Sequence, residues 1–242
     1  MAGRAEDSEK PWDRSIAAGV AVTTGNSDSL QFNAGVKGNK IWKFDELRLS
    51  LGGTYGKNDG TVANQQLLGL AQYKHLFTER FYGTVVASGL NDAIANIDYR
   101  FTVGPGLGYY FIKTDTTQLS ADAGPSMVFE KTDVYHPNFA AANPLSPTLW
   151  TTSEERSYLA ARVGERFDRK LSDTAKCWQQ SEFLPQIDNF SNYLLNTEAG
   201  VEAALTKTMS LRLVGTHRYQ SITQDNSRHY DITVVSALAY KF

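Results

Sequence analysis

The chain has 242 residues, 24 Lys and Arg against 26 Asp and Glu, a formal net charge of −2 and a single cysteine. That balance offers no basic face for nucleic acid, no disulfide framework and no cysteine-built metal cluster. No run reaches 18 apolar residues, which excludes a membrane-spanning helix and leaves spanning strands open, because half of each such strand faces a lumen.

Met1–Lys10 is short and charged and lacks the apolar core of a signal peptide. Residues 1–11 read as a disordered leader, and residues 12–242 as a single domain. From Trp12 onward the chain divides into runs of period-two alternation separated by turn residues. The first runs from Trp12 to Thr24 and ends in the turn Gly25–Ser29; the second, Leu30 to Trp42, sets Leu30, Phe32, Ala34 and Val36 against Gln31, Asn33, Gly35 and Lys37. The third, Asp45 to Lys57, alternates cleanly, and Lys57–Ala63 reads as a longer connection. In the fourth, within Asn64–Phe77, the phase is ambiguous because Leu67, Leu68 and Leu70 fall on both faces; the fifth, Phe81–Asn91, is also poorly phased. The sixth, Ile97–Ile112, alternates most clearly, and the seventh covers Gln118–Glu130.

Lys131–Ser153 holds three prolines and reads as one long irregular segment, the kind that is functional or disordered. Further runs follow at Glu154–Asp168, Thr174–Ile187, Phe190–Leu205 and Met209–Gln220. The closing run, Tyr230–Phe242, carries Tyr230, Ile232, Val234, Leu238, Tyr240 and Phe242 on one face and small or polar residues on the other. Aromatic residues at both ends of an aliphatic face are the mark of a lipid-facing strand between interfacial girdles.

The count comes to about twelve, an even number. Connections after the even-numbered runs are short, whereas the opposite set contains Lys57–Ala63, Lys131–Ser153 and Ser221–His229. Short periplasmic turns opposite longer external loops are what outer-membrane barrels show, and a soluble sandwich has no reason to segregate them. The expected fold is all-β: a transmembrane antiparallel up-and-down β-barrel of about twelve strands.

Several stretches carry a family resemblance: Gly25–Ser29 (GNSDS), Gly104–Tyr110 (GPGLGYY), Ser120–Ser126 (SADAGPS), Glu182–Asp188 (EFLPQID) and Thr197–Arg212. With them the chain resembles the bacterial family of salt-induced outer-membrane proteins (YdiY-like), a domain of unknown function. The resemblance implies a barrel in the cell outer membrane. It supplies no catalytic residues and no transport substrate. A terminal strand ending on Phe242 is a habit of such barrels, and the partners it implies are outer-membrane lipid and the barrel-assembly machinery.

The alternation assigns a charged set to the lumen: Lys37, Arg48, Asp98, Arg100, Asp122, Glu130, Arg162, Arg166, Glu182, Glu198, Glu202, Arg212, Arg218 and Asp231, with Glu46 and Lys241 in the same phase. Mixed charge in an interior points to pairing across strands, because an unpaired buried charge is costly. Hairpin symmetry about Lys207 sets Glu202 opposite Arg212, symmetry about Asp115 sets Arg100 opposite Glu130, and a centre within Ser221–His229 sets Arg218 opposite Asp231.

Other chemistry finds little support. Gly104–Gly108 is not followed by a helical pattern, so it does not read as a phosphate loop; its glycines leave room for neighbours such as Tyr110. His75, His136, His217 and His229 have no metal-ligand spacing. His229 with Asp231 reads as a rim hydrogen bond before a catalytic dyad, and His217 beside Tyr219 as an interfacial anchor. The expectation is a barrel with no cofactor and no catalytic site, forming a narrow or occluded charge-lined pore for small solutes or ions, or a structural envelope component. The alternatives are a surface-binding barrel acting through 131–153 and an outer-membrane lipid-modifying enzyme.

Overall fold

The computed structural model describes residues 12–23, 29–138, 148–222 and 229–242. They form strands β1 (Asp13–Thr23), β2 (Ser29–Ile41), β3 (Asp45–Asn58), β4 (Thr61–Leu76), β5 (Phe81–Asp92), β6 (Ile97–Lys113), β7 (Thr117–Asn138), β8 (Thr148–Lys170), β9 (Ala175–Gln186), β10 (Asn189–Ala204), β11 (Met209–Gln220) and β12 (Tyr230–Lys241). Each strand pairs antiparallel with the next, and β1 pairs with β12, so the sheet closes into a barrel. Closure joins the first strand to the last, so backbone polar groups pair from strand to strand round the ring.

The wall is turned inside out relative to a water-soluble domain. Val234 (64 % exposed), Ile232 (66 %) and Leu51, Leu67, Val85 and Val163 face outward, whereas Glu130 (2 % exposed), Glu202 (3 %), Asp122 and Arg162 are buried inside. Phe44, Phe77, Phe111, Tyr240 and Phe242 ring the end that carries the β2–β3, β4–β5, β6–β7, β8–β9 and β10–β11 turns; Tyr55, Tyr99 and Tyr230 ring the other. An aliphatic band between two aromatic girdles is the outer surface of a transmembrane barrel. The belt carries a polar row where register places Glu165, Ser181, Thr197 and His217 side by side on the outward face of β8–β11.

Strand limits fall within two residues of the sequence reading except in three places. The Lys57–Ala63 connection shrinks to a two-residue turn, because Asp59 (φ 47°) and Gly60 (φ 78°) both take the left-handed conformation that matches hairpin twist. The β4 strand therefore starts at Thr61. Much of Lys131–Ser153 is not irregular. β7 and β8 stay paired through Thr132↔Glu154 to Asn138↔Thr148, a ribbon built from β-branched and aromatic residues such as Thr132, Val134, Tyr135, Trp150 and Thr151. Residues 139–147, like the leader at 1–11, lie outside the described residues.

The ambiguous strands also resolve. β4 turns Leu68, Leu70, Gln72 and Lys74 inward and Leu67 and Tyr73 outward; β5 turns Tyr82, Thr84, Val86, Leu90 and Asp92 inward. Their phase was unreadable because the lumen they face is itself partly aliphatic.

Candidate functional site: the charged lumen

Three buried carboxylate centres hold the lumen at different heights. Nearest the turn end, Glu202 accepts from Arg212 Nη2 (2.9 Å) and Ser210 Oγ (2.9 Å), with Lys241 Nζ at 3.0 Å and Lys176 Nζ at 3.6 Å. The Arg212 guanidinium continues to Ser15 Oγ at 3.2 Å, so one cluster spans β9–β12 and the closing strand β1. At mid-barrel Arg162 bridges Asp122 and Glu182 (Nε–Oε1 2.7 Å), and Tyr82 donates to Asp122 at 3.2 Å. Toward the opposite end Glu130 binds Arg100 Nε at 2.5 Å and Arg156 Nη2 at 2.7 Å.

Hydrogen bonds and ion pairs also cross the open interior. Arg100 Nη2 on β6 donates to Gln220 Oε1 on β11 at 2.7 Å, five strands away round the ring. Lys37 Nζ on β2 lies 3.5 Å from Glu198 Oε1 on β10, and Trp178 Nε1 donates to the same oxygen at 2.7 Å. Tyr110 on β6 reaches Glu46 on β3 at 2.6 Å beside Lys74. Arg166 is held by Asp168 and by Gln180, both within 2.6 Å. Arg48 donates to Gln72 at 3.5 Å.

Two of the expected cross-strand pairs form direct contacts, Glu202–Arg212 and Arg100–Glu130, in the expected register. Arg218 and Asp231 are also register partners and both line the same cavity, yet among the described residues they form no ion pair. Asp98 corrects the lumen assignment. A register shift between Ile97 and Tyr99 turns Ile97 inward and leaves Asp98 on the outer rim, where it meets Lys131 Nζ at 2.9 Å. His229 Nδ1 sits 3.0 Å from the Gln220 carbonyl oxygen and stacks on Tyr219, while Asp231 lines the cavity mouth.

The sequence reading missed Tyr82, Trp178, Lys74 and the inward leucines. Glycines were the available signal: a Cβ at Gly108 would lie 2.5 Å from Tyr82 Cε2, and one at Gly200 would lie 2.6 Å from Trp178 Cε2. The space beside Gly108 is thus filled by Tyr82 rather than Tyr110. Gly104 and Gly124 instead let β6 and β7 approach closely, each facing the other strand's backbone.

These groups break the lumen into successive cavities. One of about 420 Å³ opens toward the β7–β8 ribbon. A central chamber of about 180 Å³ follows and shares Arg100, Arg218 and Asn196 with it. Cavities of about 480 and 320 Å³ open toward the turns, and the larger shares Arg48, Arg166 and Lys74 with the chamber. The chamber walls carry Arg48, Lys74, Arg100, Arg162, Arg166 and Arg218 against the inward carboxylates Asp122, Glu182 and Glu198.

A closed twelve-stranded barrel with an aliphatic outer belt and a charged, subdivided lumen defines a β-barrel of the transmembrane type. The chain belongs to the family described as "Protein of unknown function, DUF481", whose model matches residues 16–242. No curated protein matches it in sequence. Among solved structures it is similar to the NanC porin, with a TM-score of 0.51 and 4 % identity over 95 % of this chain and 99 % of that one. It is also similar to the translocator domain of autotransporter NalP from Neisseria meningitidis (TM-score 0.49, 11 % identity, 96 % and 87 % covered) and to the KdgM porin (0.45, 9 %, 96 % and 99 %). At these identities the likeness is one of fold, and the NanC match carries it.

Proposed function

We propose that this protein is an outer-membrane barrel forming a narrow channel that favours anions, subdivided by cross-lumen contacts. The observation that carries this reading is the succession of cavities from one mouth to the other, joined through shared arginines. Six cationic side chains against three inward carboxylates give the central chamber a positive field, which concentrates anions and repels cations. A twelve-stranded ring lies between barrels filled by side chains and wide aqueous porins, so a small conductance is expected.

Placement in the outer membrane is supported by the fold of the structural neighbours, by the girdled aliphatic belt, and by the resemblance to the salt-induced (YdiY-like) outer-membrane proteins. In the same reading the β12 strand is the element offered to the barrel-assembly machinery: Tyr240 and Phe242 stack outward at its end, with ring centroids 6.4 Å apart.

Planar-bilayer recording of the purified protein tests the channel. Small, anion-favouring steps are expected under a KCl gradient, and Arg100→Ala should enlarge them by removing the tie to Gln220. Silence in both proteins, or a preference for cations, would overturn the reading.

A further inference from the structure

We propose that the central chamber is a binding site for a short organic monoanion with an apolar body, such as a medium-chain carboxylate. The argument starts from side chains that a simple ion path does not need. Leu68 and Leu70 on β4, Val86 and Leu90 on β5, and Leu184 and Leu194 on β9 and β10 all line this chamber. Charged lumens conduct small ions without aliphatic walls, and apolar surface facing water is unfavourable. Leu184 and Leu194 are buried against Val128 and Ala160, and Val86 is buried as well, whereas Leu68, Leu70 and Leu90 keep apolar surface open to the lumen; the β4–β5 patch therefore marks a place where an apolar body is received.

The same chamber holds the cation such a ligand requires. Arg162 is committed to Asp122 and Glu182, Arg100 to Glu130, and Arg166 to Asp168. Arg218 is not so committed. It feels the charge of Asp92 and Asp231, which line the outer cavity, and of Glu198, which lines the chamber but is held by Lys37 and Trp178; among the described residues Arg218 forms an ion pair with none of the three. Its register partner on β10 is Asn196, which also lines the chamber. A carboxylate held by the Arg218 guanidinium and the Asn196 amide would place its chain against the β4–β5 leucines. A guanidinium is suited to this role because its fork of donors matches a carboxylate.

The site rests on the channel reading only for how the ligand arrives, so binding and conduction are measured separately. Titration of the folded full chain in detergent with hexanoate, acetate and hexanol, followed by calorimetry, supplies the test. Hexanoate is expected to bind at least about tenfold more tightly than acetate, since each buried methylene adds roughly 0.8 kcal/mol, and at least about tenfold more tightly than hexanol. Arg218→Gln should weaken hexanoate about tenfold, while Leu70→Ser should weaken hexanoate and leave acetate unchanged. Asp231→Asn serves as the nearby control and should not weaken binding. Equal affinity for hexanoate and acetate would reduce the chamber to a nonspecific cationic field, and equal affinity for hexanol would reduce it to a greasy cavity. Either result, or an Arg218→Gln protein that is folded by circular dichroism and binds hexanoate as tightly, overturns the proposal. Binding that persists in a protein showing no conductance would leave this site standing and remove the channel.

Discussion

Arg212 on β11 donates to the Ser15 hydroxyl on β1 at 3.2 Å, reaching past β12 and across the pair of strands that closes the ring. The β1–β12 seam has only four register pairs, from Ser15↔Lys241 to Ala18↔Leu238, against eleven between β1 and β2. The seam is the short hydrogen-bonded edge of this barrel, and the Glu202 cluster is the side-chain brace beneath it.

Removing the carboxylate at the centre of that brace leaves Arg212, Lys241 and Lys176 facing one another with no counter-charge. Breaking a buried ion pair by deleting one partner costs about 3–5 kcal/mol, and the Glu202 side chain is only 3 % exposed. Glu202→Ala is expected to lower the unfolding free energy by an amount in that range, read as a lower midpoint in urea at unchanged m. A midpoint indistinguishable from wild type would show that the closing strands need no side-chain brace.

Gly200 admits the indole of Trp178, which in turn donates to Glu198 at 2.7 Å. Gly200→Ala therefore overpacks the lumen and should cost about 1–3 kcal/mol. The cost should largely vanish in a Trp178→Leu background, because the two residues share one volume and their effects are not additive. Equal costs in both backgrounds would mean that the backbone, and not the ring, sets the requirement for glycine.

Beyond Asp133, whose N–H donates to the Asn96 carbonyl at 2.9 Å, the β7–β8 ribbon extends past the strands beside it. β6 pairs with β7 only as far as Ile97↔Thr132, and β9 pairs with β8 only as far as Ala160↔Gln186. Replacing residues 134–152 by a two-residue Asn-Gly turn between the register partners Asp133 and Ser153 is thus expected to leave barrel stability and conductance unchanged. If a surface partner acts through this ribbon, only that interaction is lost. Loss of folding would show that the ribbon belongs to the barrel.

Glu165 stands on the outward face beside Ser181, in the row that continues to Thr197 and His217. Charge on a lipid-facing barrel position is destabilising, less so for a carboxylate than for the 2–4 kcal/mol of a midplane Arg or Lys. Glu165→Leu is expected to stabilise the protein by about 1 kcal/mol in liposomes. A destabilised variant would indicate that lipid does not cover this part of the wall.

Much of this molecule is written locally. Period-two alternation in Ile97–Ile112 and Tyr230–Phe242 separates the two environments of the wall, because successive side chains must face opposite sides of a strand. Hairpin symmetry then places Glu202 against Arg212 and Arg100 against Glu130, since short turns leave little freedom of register. The same logic fails at Asp98, where one irregularity reverses the phase, and at Leu67–Leu70, where both faces are apolar for different reasons. It also underestimates β7 and β8, whose prolines suggested a loop although most of the segment pairs as a ribbon.

What no single stretch contains is the interior itself. Arg100 meets Gln220 and Lys37 meets Glu198 only because the ring closes and brings strands from opposite sides within reach. The same closure gathers Leu68, Leu90, Leu184 and Leu194 around one chamber. Alternation records which side of the wall a residue faces, and that much is a property of the chain. Which residues face each other across the lumen depends on strand number and curvature, and those exist only in the closed sheet.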